Sequence, residues 1–236
     1  MNKVSVLDHG FVRLVDHMGN DLSIVRNARV SYNADWRTGE DAGKDEKLIR
    51  YLYKNGHNTP FESVTFTFDI KAPIFIIRQW HRHRTWSYNE VSARYTVLPD
   101  DYYVPKANDV GAQSGDNKQV RDLENRPDGI CPAKAATAIR RSCERSFGVY
   151  EGLINSGVPR ELARTVLPLA TYSHFFGTVN LHNLFKFLNE RLHPHAQYEI
   201  RVYAKALLEL ITPITPIAVQ AFKDFTLGDN NEASTS

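Results

Sequence analysis

An alternating segment at residues 64–70 constrains the fold of this chain more than any other feature. In its sequence, VTFTFDI, apolar and polar side chains alternate with a period of two, the pattern of a strand with one buried face. The apolar set consists of Val64, Phe66, Phe68 and Ile70. The stretch IFIIRQW follows after a proline that suits the first turn of a helix. The sequence therefore predicts a strand leading into a buried helix, which carries the polar residues after it on an apolar scaffold.

The rest of the chain predicts short strands and several amphipathic helices around this pair. Residues 4–19 are predicted to form two strands around His9 and Gly10, and residues 173–180 look extended. Helices are predicted after Asp21 as a cap, then at 41–55, 133–155, after Pro159, at 181–191 and at 195–211. Gly56, Gly157 and Pro213 are expected to end three of them. With no internal repeat and no interior linker, the pattern predicts one α+β domain.

Two segments interrupt this pattern. Residues 106–132 have few apolar side chains and many Gly, Asn, Asp and Pro, which predicts a long, mobile surface loop. The final stretch GDNNEASTS predicts a disordered tail. The domain is therefore expected to span residues 1–228, with 106–132 as an insertion and 229–236 as the tail.

Charge and cysteine content narrow the classes of function. A net charge of +2 gives no general attraction to nucleic acid or to an anionic membrane, so any anion binding must come from local clusters. No apolar run approaches the ~20 residues of a membrane helix. The first residues lack the apolar core of a secretory signal. Cys131 and Cys143 form no disulfide framework, and a cytoplasmic protein is expected.

The stretch RHRTWSYNEVSARY, residues 82–95, is the strongest candidate for a site. Arginine-rich segments are most often solvated surfaces. This one, however, follows a helix predicted to be buried, and it mixes arginine with Ser, Asn and Glu. Because a guanidinium offers a planar fork of donors, the stretch suits a planar anion carrying phosphate or a ring carbonyl. Glu90 is expected to fix the arginines or to bind a sugar hydroxyl.

Other chemistries have weaker signals. Neither cysteine has the neighbours of an activated thiolate, and Cys143 is predicted to lie in the core. The histidines of HRH (81–83) and HPH (193–195) lack nearby carboxylates in a ligand pattern, so no metal site is predicted. The sequence has neither a dinucleotide-binding glycine motif after a strand nor a P-loop. Any dinucleotide must be held in another way.

The stretch at 82–95 matches every fixed position of RHRxxSxNExSxR, the signature of flavin-dependent thymidylate synthases. Further blocks resemble the same family in family order: RNARVSYN, GHNTPFES, KAPIFIIRQW, SGVPRELARTVLP and NERLHPHAQYEIR. The resemblance covers most of residues 1–225, without the loop at 106–132. It implies the fold of that family, an α+β domain with a mixed or antiparallel sheet flanked by helices.

The resemblance also implies an activity. Such methyltransferases make dTMP from dUMP with the methylene group of 5,10-methylenetetrahydrofolate, and FAD reduced by NADPH supplies the hydride. The resemblance implies a homotetramer whose sites are shared between subunits. The expected partners are small-molecule substrates, and binding to nucleic acid or to a membrane is not expected. It activates uracil without an enzyme thiolate.

Site residues follow from matching positions. Arg191 matches the arginine that ionises uracil N3, where a permanent cation stabilises the anion that forms. The resemblance assigns dUMP to Gln79, Arg82, Glu90, Ser92, Ala93, Arg94, Arg164 and Arg191. It assigns FAD to Ser31, His57, Thr59, Arg82, His83, Arg84, Asn89, Glu90, Asn180, His182, Lys186 and His195. Ser92 is expected to donate a hydrogen bond rather than to act as a nucleophile, because no base is evident.

Three positions depart from common family residues: His182, Lys186 and Trp86. The first two lie on the helix that faces the flavin in the family. The bulk of Trp86 is expected to narrow the approach of folate or nicotinamide.

Two alternatives stay open. A nucleic-acid-binding protein could use residues 78–95 to bind phosphates and stack bases. A flavoprotein of the same fold could act on another pyrimidine.

Overall fold

A five-stranded antiparallel sheet organises the computed structural model, which describes residues 2–115, 118, 120–124 and 131–228. Its strands are β1 (Lys3–Val6), β2 (Gly10–Met18), β3 (Thr65–Pro73), β4 (Ser87–Glu90) and β7 (Tyr172–Asn180). Their order in the sheet is β1-β2-β3-β7-β4, so β3 is central and β4 lies at an edge. Two further strands, β5 (Ala112–Gln113) and β6 (Arg121–Asp122), form a separate hairpin. The predicted strands at 4–19, 64–70 and 173–180 are confirmed.

The helices are α1 (Asp21–Arg29), α2 (Ala42–Lys54), α3 (Ile74–Trp80), α4 (Pro132–Asn155), α5 (Arg160–Ala163), α6 (Leu181–Leu192), α7 (Tyr198–Ile211) and α8 (Pro216–Phe222). The predictions at 41–55, 133–155 and 181–191 are confirmed, and Gly56 and Gly157 follow their helices with positive φ. The sequence did not predict α8 or the π-helical turn Lys223–Leu227. Cys143 on α4 is buried, as predicted, together with Phe147, whereas Ile139 on the same helix is exposed.

The apolar face of β3 belongs to the main hydrophobic core, to which α6 and α7 also contribute. Val64, Phe66, Phe68 and Ile70 expose no surface, as the alternating pattern predicts. Trp80, the last residue of α3, is also fully buried, and its ring stacks on Phe187 of α6 at 4.7 Å. The strand and helix at 64–80 therefore form the scaffold on which the signature stretch begins.

The predicted cap at Asp21 is wrong. Asn20 caps α1, because its side-chain oxygen accepts from the Leu22 amide at 3.0 Å while Ser23 Oγ accepts from the Asn20 amide. Asp21 is buried and accepts instead from the backbone amides of Ile217 (2.8 Å) and Ala218 (3.1 Å), at the start of α8. Adjacent residues thus cap two helices that are far apart in sequence.

The expectation for Trp86 is also wrong. Its side chain is only 6% exposed and points into the core, where it contacts the rings of Trp80 and Phe187. A Cβ added at Gly177 would come within 3.1 Å of this indole, so the glycine makes room for it. Trp86 therefore anchors the signature stretch to the core and does not narrow the approach of folate or nicotinamide.

The segment 106–132 has short elements of its own. Besides the β5–β6 hairpin, it contains the 3-10 turn Ala107–Asp109. Residues 116, 117, 119 and 125–130 of the predicted loop, and the predicted tail at 229–236, lie outside the described residues. Across the described ranges, no helix is both long and apolar enough to cross a membrane.

Candidate active site

The signature stretch, residues 82–95, begins with a turn held by hydrogen bonds and continues into the edge strand β4. After α3, the backbone amide of His83 donates to the Trp80 carbonyl at 2.9 Å, and the chain enters β4 at Ser87. The Tyr88 hydroxyl shares its one proton between the carbonyls of Trp80 (3.1 Å) and His83 (2.9 Å). Burial raises the pKa of Tyr88, so the phenol remains a donor. The turn that carries Arg82, His83 and Arg84 is therefore fixed from both sides.

Arg191, near the end of α6, reaches this turn. Its Nε donates to His83 Nε2 at 3.0 Å, while the Glu190 carboxylate lies 3.8 Å from the same histidine nitrogen. Burial lowers the pKa of His83, and the charge of Arg191 lowers it further, against a smaller opposite effect of Glu190. Because Nε2 accepts a hydrogen bond, the neutral imidazole carries its proton on Nδ1.

The burial of His83, together with its contact to Arg191, predicts a pH-dependent stability. The unfolded chain protonates this histidine near its ordinary pKa of 6.5, whereas the folded state resists protonation. The stabilisation is therefore complete above that pH and lost as the pH falls below it. In His83→Gln the amide oxygen still accepts from Arg191 without titrating. The fall in Tm between about pH 7.5 and about pH 5.5 should be smaller for this variant than for the wild type.

The exposed His17 provides a matched control for that measurement. His17→Gln should keep the wild-type dependence of Tm on pH. Parallel curves for the wild type and His83→Gln would contradict the neutral state of His83.

The end of the signature stretch forms a second turn. The Ser92 carbonyl accepts from the amides of Tyr95 (2.9 Å) and Thr96 (3.1 Å), and Ser92 Oγ accepts from the Arg94 amide at 3.3 Å. No base contacts this hydroxyl in the described part of the chain. Arg94 itself is exposed and lines a cavity of about 350 Å³ together with Arg160.

Glu90 lies where β4 ends. One of its carboxylate oxygens accepts from Ser173 Oγ on the neighbouring strand β7 at 2.5 Å. The residue is otherwise exposed, so its second oxygen faces solvent.

The start of α6 lines another cavity. Asn180 caps this helix by accepting from the Asn183 amide at 2.9 Å. His182 and Lys186, one turn apart, line a cavity of about 290 Å³ with Lys54, Asn58 and Phe225. Its described lining contains two lysines and no acid. This composition fits the pyrophosphate and an aromatic ring of a flavin dinucleotide.

The two ends of α6 therefore carry different predicted residues. His182 and Arg191 are nine positions apart, which is ~14 Å along a helix. Burial, and then the charge of Lys186, lowers the pKa of His182, so this ring stays neutral at neutral pH. An extended ligand along α6 would span both groups.

The remaining predicted residues are spread over the surface. Thr59 opens the 3-10 turn Thr59–Ser63, which packs on α6. Arg164 follows α5. The exposed members of the predicted set are Ser31, His57, Thr59, Arg82, Arg84, Asn89, Glu90, Arg94, Arg164, Lys186 and His195, whereas Ala93 is buried. Within the described ranges, no group of three or more His, Cys, Asp or Glu side chains is placed to hold a metal ion.

Sequence reasoning missed a hydrogen-bonded pair, Gln197 and Glu199, that is linked to the predicted site through Gln79. Gln79 Nε2 donates to Gln197 Oε1 at 2.5 Å, and Gln197 Nε2 donates to Glu199 Oε2 at 2.9 Å. Glu199 is only 2% exposed. One signal was present, because this acid is in phase with the buried Tyr203 and Ala206 on the apolar face of α7.

Comparison with known proteins identifies the family. The family model described as thymidylate synthase complementing protein matches residues 13–217. The flavin-dependent thymidylate synthase of Treponema denticola is 45% identical over 92% of this chain and 80% of its own length. That of Thermotoga neapolitana is 46% identical over 93% of this chain and 94% of its own length. The chain belongs to the flavin-dependent thymidylate synthase family.

A solved structure also shares the fold of this chain. The UMP/dUMP methylase PolB from Streptomyces cacaoi, bound with 5-Br dUMP, matches with a TM-score of 0.83 and 36% identity. The match covers 94% of this chain and 98% of that chain. The predicted family and the predicted α+β architecture are confirmed, and the individual site residues remain predictions.

Proposed function

We propose that the protein methylates dUMP to dTMP, with 5,10-methylenetetrahydrofolate as carbon donor and NADPH as the reductant of bound FAD. The observation that carries the proposal is the hydrogen bond from Arg191 to a neutral His83 in the signature turn. It holds a permanent cation beside the residues that match the pyrimidine site of the family.

Arg191 has the chemistry that uracil activation needs. Its Nε donates to His83, and its Nη2 lies 3.7 Å from the Glu190 carboxylate, too far for a hydrogen bond. Among the described residues, the terminal nitrogens therefore keep their hydrogen-bond donors for a ligand. A guanidinium remains protonated at neutral pH and cannot be the base. It stabilises the anion that forms when N3–H is lost, and the added ring charge makes C5 of uracil nucleophilic.

The other proposed dUMP contacts supply matching donors and acceptors. Arg82, Arg94 and Arg164 are exposed guanidinium groups of the kind that bind a phosphate. Glu90, held on one side by Ser173, offers an acceptor for a sugar hydroxyl. Gln79, Ser92 and Ala93 complete the proposed set.

FAD, when bound, supplies the hydride for the transferred carbon. We propose that Lys186 and His182 hold it at the start of α6, and that His83 and Arg191 lie at the far end of the ligand. The cavity of about 290 Å³ at the start of α6 supports this placement. The remaining proposed contacts are Ser31, His57, Thr59, Arg82, Arg84, Asn89, Glu90, Asn180 and His195.

We propose further that the protein is a homotetramer with shared sites, in the cytoplasm. The exposure of Ser31, Arg94 and Arg164 supports shared sites, and the two unpaired cysteines support the location. Arg191→Ala and Arg94→Ala variants, mixed and reassembled, should regain part of the activity if the two residues enter one site from different chains. A monomer that holds FAD and turns over would contradict the assembly.

One assay tests the function. Protein supplied with FAD, NADPH and methylenetetrahydrofolate should release tritium from dUMP labelled at carbon 5. UMP is the competing substrate to include, because the structural relative PolB is a UMP/dUMP methylase. Turnover of UMP alone would favour the alternative that the protein is a flavoprotein of the same fold acting on another pyrimidine. If the purified protein lacked flavin absorption and bound oligonucleotides with an affinity that falls as salt rises, this would favour the alternative of a nucleic-acid-binding protein.

No cysteine should take part in the reaction. Cys131 is exposed, and Cys143 is buried. Burial raises the pKa of Cys143, which keeps it a thiol. The double variant Cys131→Ala, Cys143→Ala should keep tritium release within about twofold and lose about 1 kcal/mol of stability at the buried position. A folded but inactive double variant would rule out this scheme.

A further inference from the structure

A chain of hydrogen bonds joins a buried carboxylate on α7 to the proposed dUMP site. Glu199 Oε1 accepts from the Tyr103 hydroxyl at 3.0 Å and from Arg121 Nη2 at 2.8 Å. Its Oε2 accepts from Gln197 Nε2 at 2.9 Å. Both oxygens of this carboxylate, which is 2% exposed, are therefore engaged by donors from separate segments of the chain.

The charge of Glu199 is locally compensated. Arg121 belongs to the β5–β6 hairpin, and its guanidinium also lies 5.2 Å from the centre of the Tyr198 ring. Glu199 is the second residue of α7, where the helix dipole favours a negative charge. Burial, and then the charge of Glu199, raises the pKa of Tyr103, so its hydroxyl stays a donor.

The carboxylate fixes the direction of the whole chain. An ionised carboxylate only accepts hydrogen bonds, so the amide nitrogen of Gln197 must face Glu199. The carbonyl oxygen of Gln197 then faces Gln79, and the amide nitrogen of Gln79 must donate to it. Amide orientations are often ambiguous, but the acceptor at one end removes the ambiguity here. Gln79 is left with its carbonyl oxygen and one N–H free of partners in the described part of the molecule.

We propose that Glu199 is a positioning residue for dUMP binding, acting through Gln197 to orient the side-chain amide of Gln79. Arg121, in strand β6 of the segment 106–132, holds the Glu199 carboxylate in place and so contributes to the same positioning. The inference rests on the proposed function, in which Gln79 contacts dUMP.

Glu199→Gln tests the proposal with a change of similar shape. The new amide places a donor among donors, so Gln197 and Gln79 lose their fixed orientation. The KM for dUMP should rise roughly 10- to 100-fold, with a smaller change in kcat, because ground-state binding is the affected step. Equilibrium dialysis of dUMP against the FAD-loaded protein should give the same loss of affinity, independent of turnover.

A swap of the two side chains provides the rescue. In the double variant Gln197→Glu, Glu199→Gln, the carboxylate at 197 accepts from Gln79 and from the new amide at 199. The oxygen of that amide accepts from Arg121 and Tyr103. Net charge and all four contacts are kept, with only the hydrogen bond between 197 and 199 reversed, and Gln79 still donates to residue 197. Much of the dUMP affinity should therefore return. A purely structural role for Glu199 predicts no such recovery.

Asp21 offers the matched control. It is also a buried carboxylate near a helix start, and it accepts from two backbone amides at the start of α8. Asp21→Asn should lower Tm while leaving the KM for dUMP unchanged within about twofold.

A cycle with Gln79→Ala separates coupling from general damage. If Glu199 acts through Gln79, adding Glu199→Gln to Gln79→Ala should weaken dUMP binding no further. Additive losses would overturn the proposal. If Glu199→Gln does not fold, Gln197→Met cuts the same chain while leaving the Glu199–Arg121 pair, and it should give the same loss of affinity.

The experiments distinguish failure of the proposed function from failure of the positioning role of Glu199. Wild-type protein that neither binds dUMP nor releases tritium would remove the proposed function. Wild-type protein that binds dUMP, beside a folded Glu199→Gln with unchanged affinity, would remove only the positioning role.

Discussion

Arg191→Ala is expected to lower dTMP formation by roughly 100- to 1,000-fold, because the variant loses the cation that stabilises the uracil anion. Arg191→Lys should also be poor, since an ammonium has neither the planar fork nor an Nε that could donate to His83. The measurement is tritium release at saturating dUMP. Bound flavin, read from its visible absorption, should remain in both variants.

Arg145 provides the control, because it is an exposed arginine on α4 that has no assigned role. Arg145→Ala should turn over dUMP like the wild type. Near wild-type turnover in Arg191→Ala would remove the assigned role of Arg191.

Trp80→Ala is expected to have the largest effect on folding, about 3–5 kcal/mol. The indole is fully buried and contacts the rings of Trp86, Phe175, Phe187 and Tyr203. For a chain of this size the loss corresponds to a fall in Tm of roughly 6–20 °C. Thermal unfolding followed by circular dichroism checks the result.

Two variants sharpen that test. The Trp80 indole nitrogen is buried and has no hydrogen-bond partner among the described residues, so Trp80→Phe loses volume but no hydrogen bond. Its cost should be clearly smaller than that of the alanine variant. Trp36 is 64% exposed, and Trp36→Ala should cost less than about 1 kcal/mol. Equal losses from Trp80→Ala and Trp36→Ala would contradict the described core.

Local patterns were sufficient for much of the fold. The alternation at 64–70 predicted β3 because one face of that strand is buried and the other is polar. Gly56 and Gly157 predicted helix ends because a left-handed residue there strains other side chains. The signature stretch identified the family before any geometry was known, because its fixed positions are many and closely spaced.

Other features depended on distant parts of the chain. Asp21 is a residue type that commonly caps helices, and it stands at the start of α1. Its donors, however, are the amides of residues 217 and 218, and no local pattern indicates such partners. The strand β4 has no alternation of its own and exists because β7 supplies its hydrogen bonds. The position of Glu199 on the apolar face of α7 indicates burial, but its donors Tyr103 and Arg121 lie far away in the sequence and no local pattern indicates them.

The cap on α8 has a consequence for how the chain is made. Asp21 leaves the site of synthesis 196 residues before Ile217, its first donor. At about 5–20 residues per second, the delay is roughly 10–40 s. Throughout that interval the carboxylate of Asp21 must stay in water, because burial without its donors would be costly. The start of α1 can therefore reach its final position only after residues 217 and 218 have been translated, and a nascent chain stopped before Pro216 never completes it.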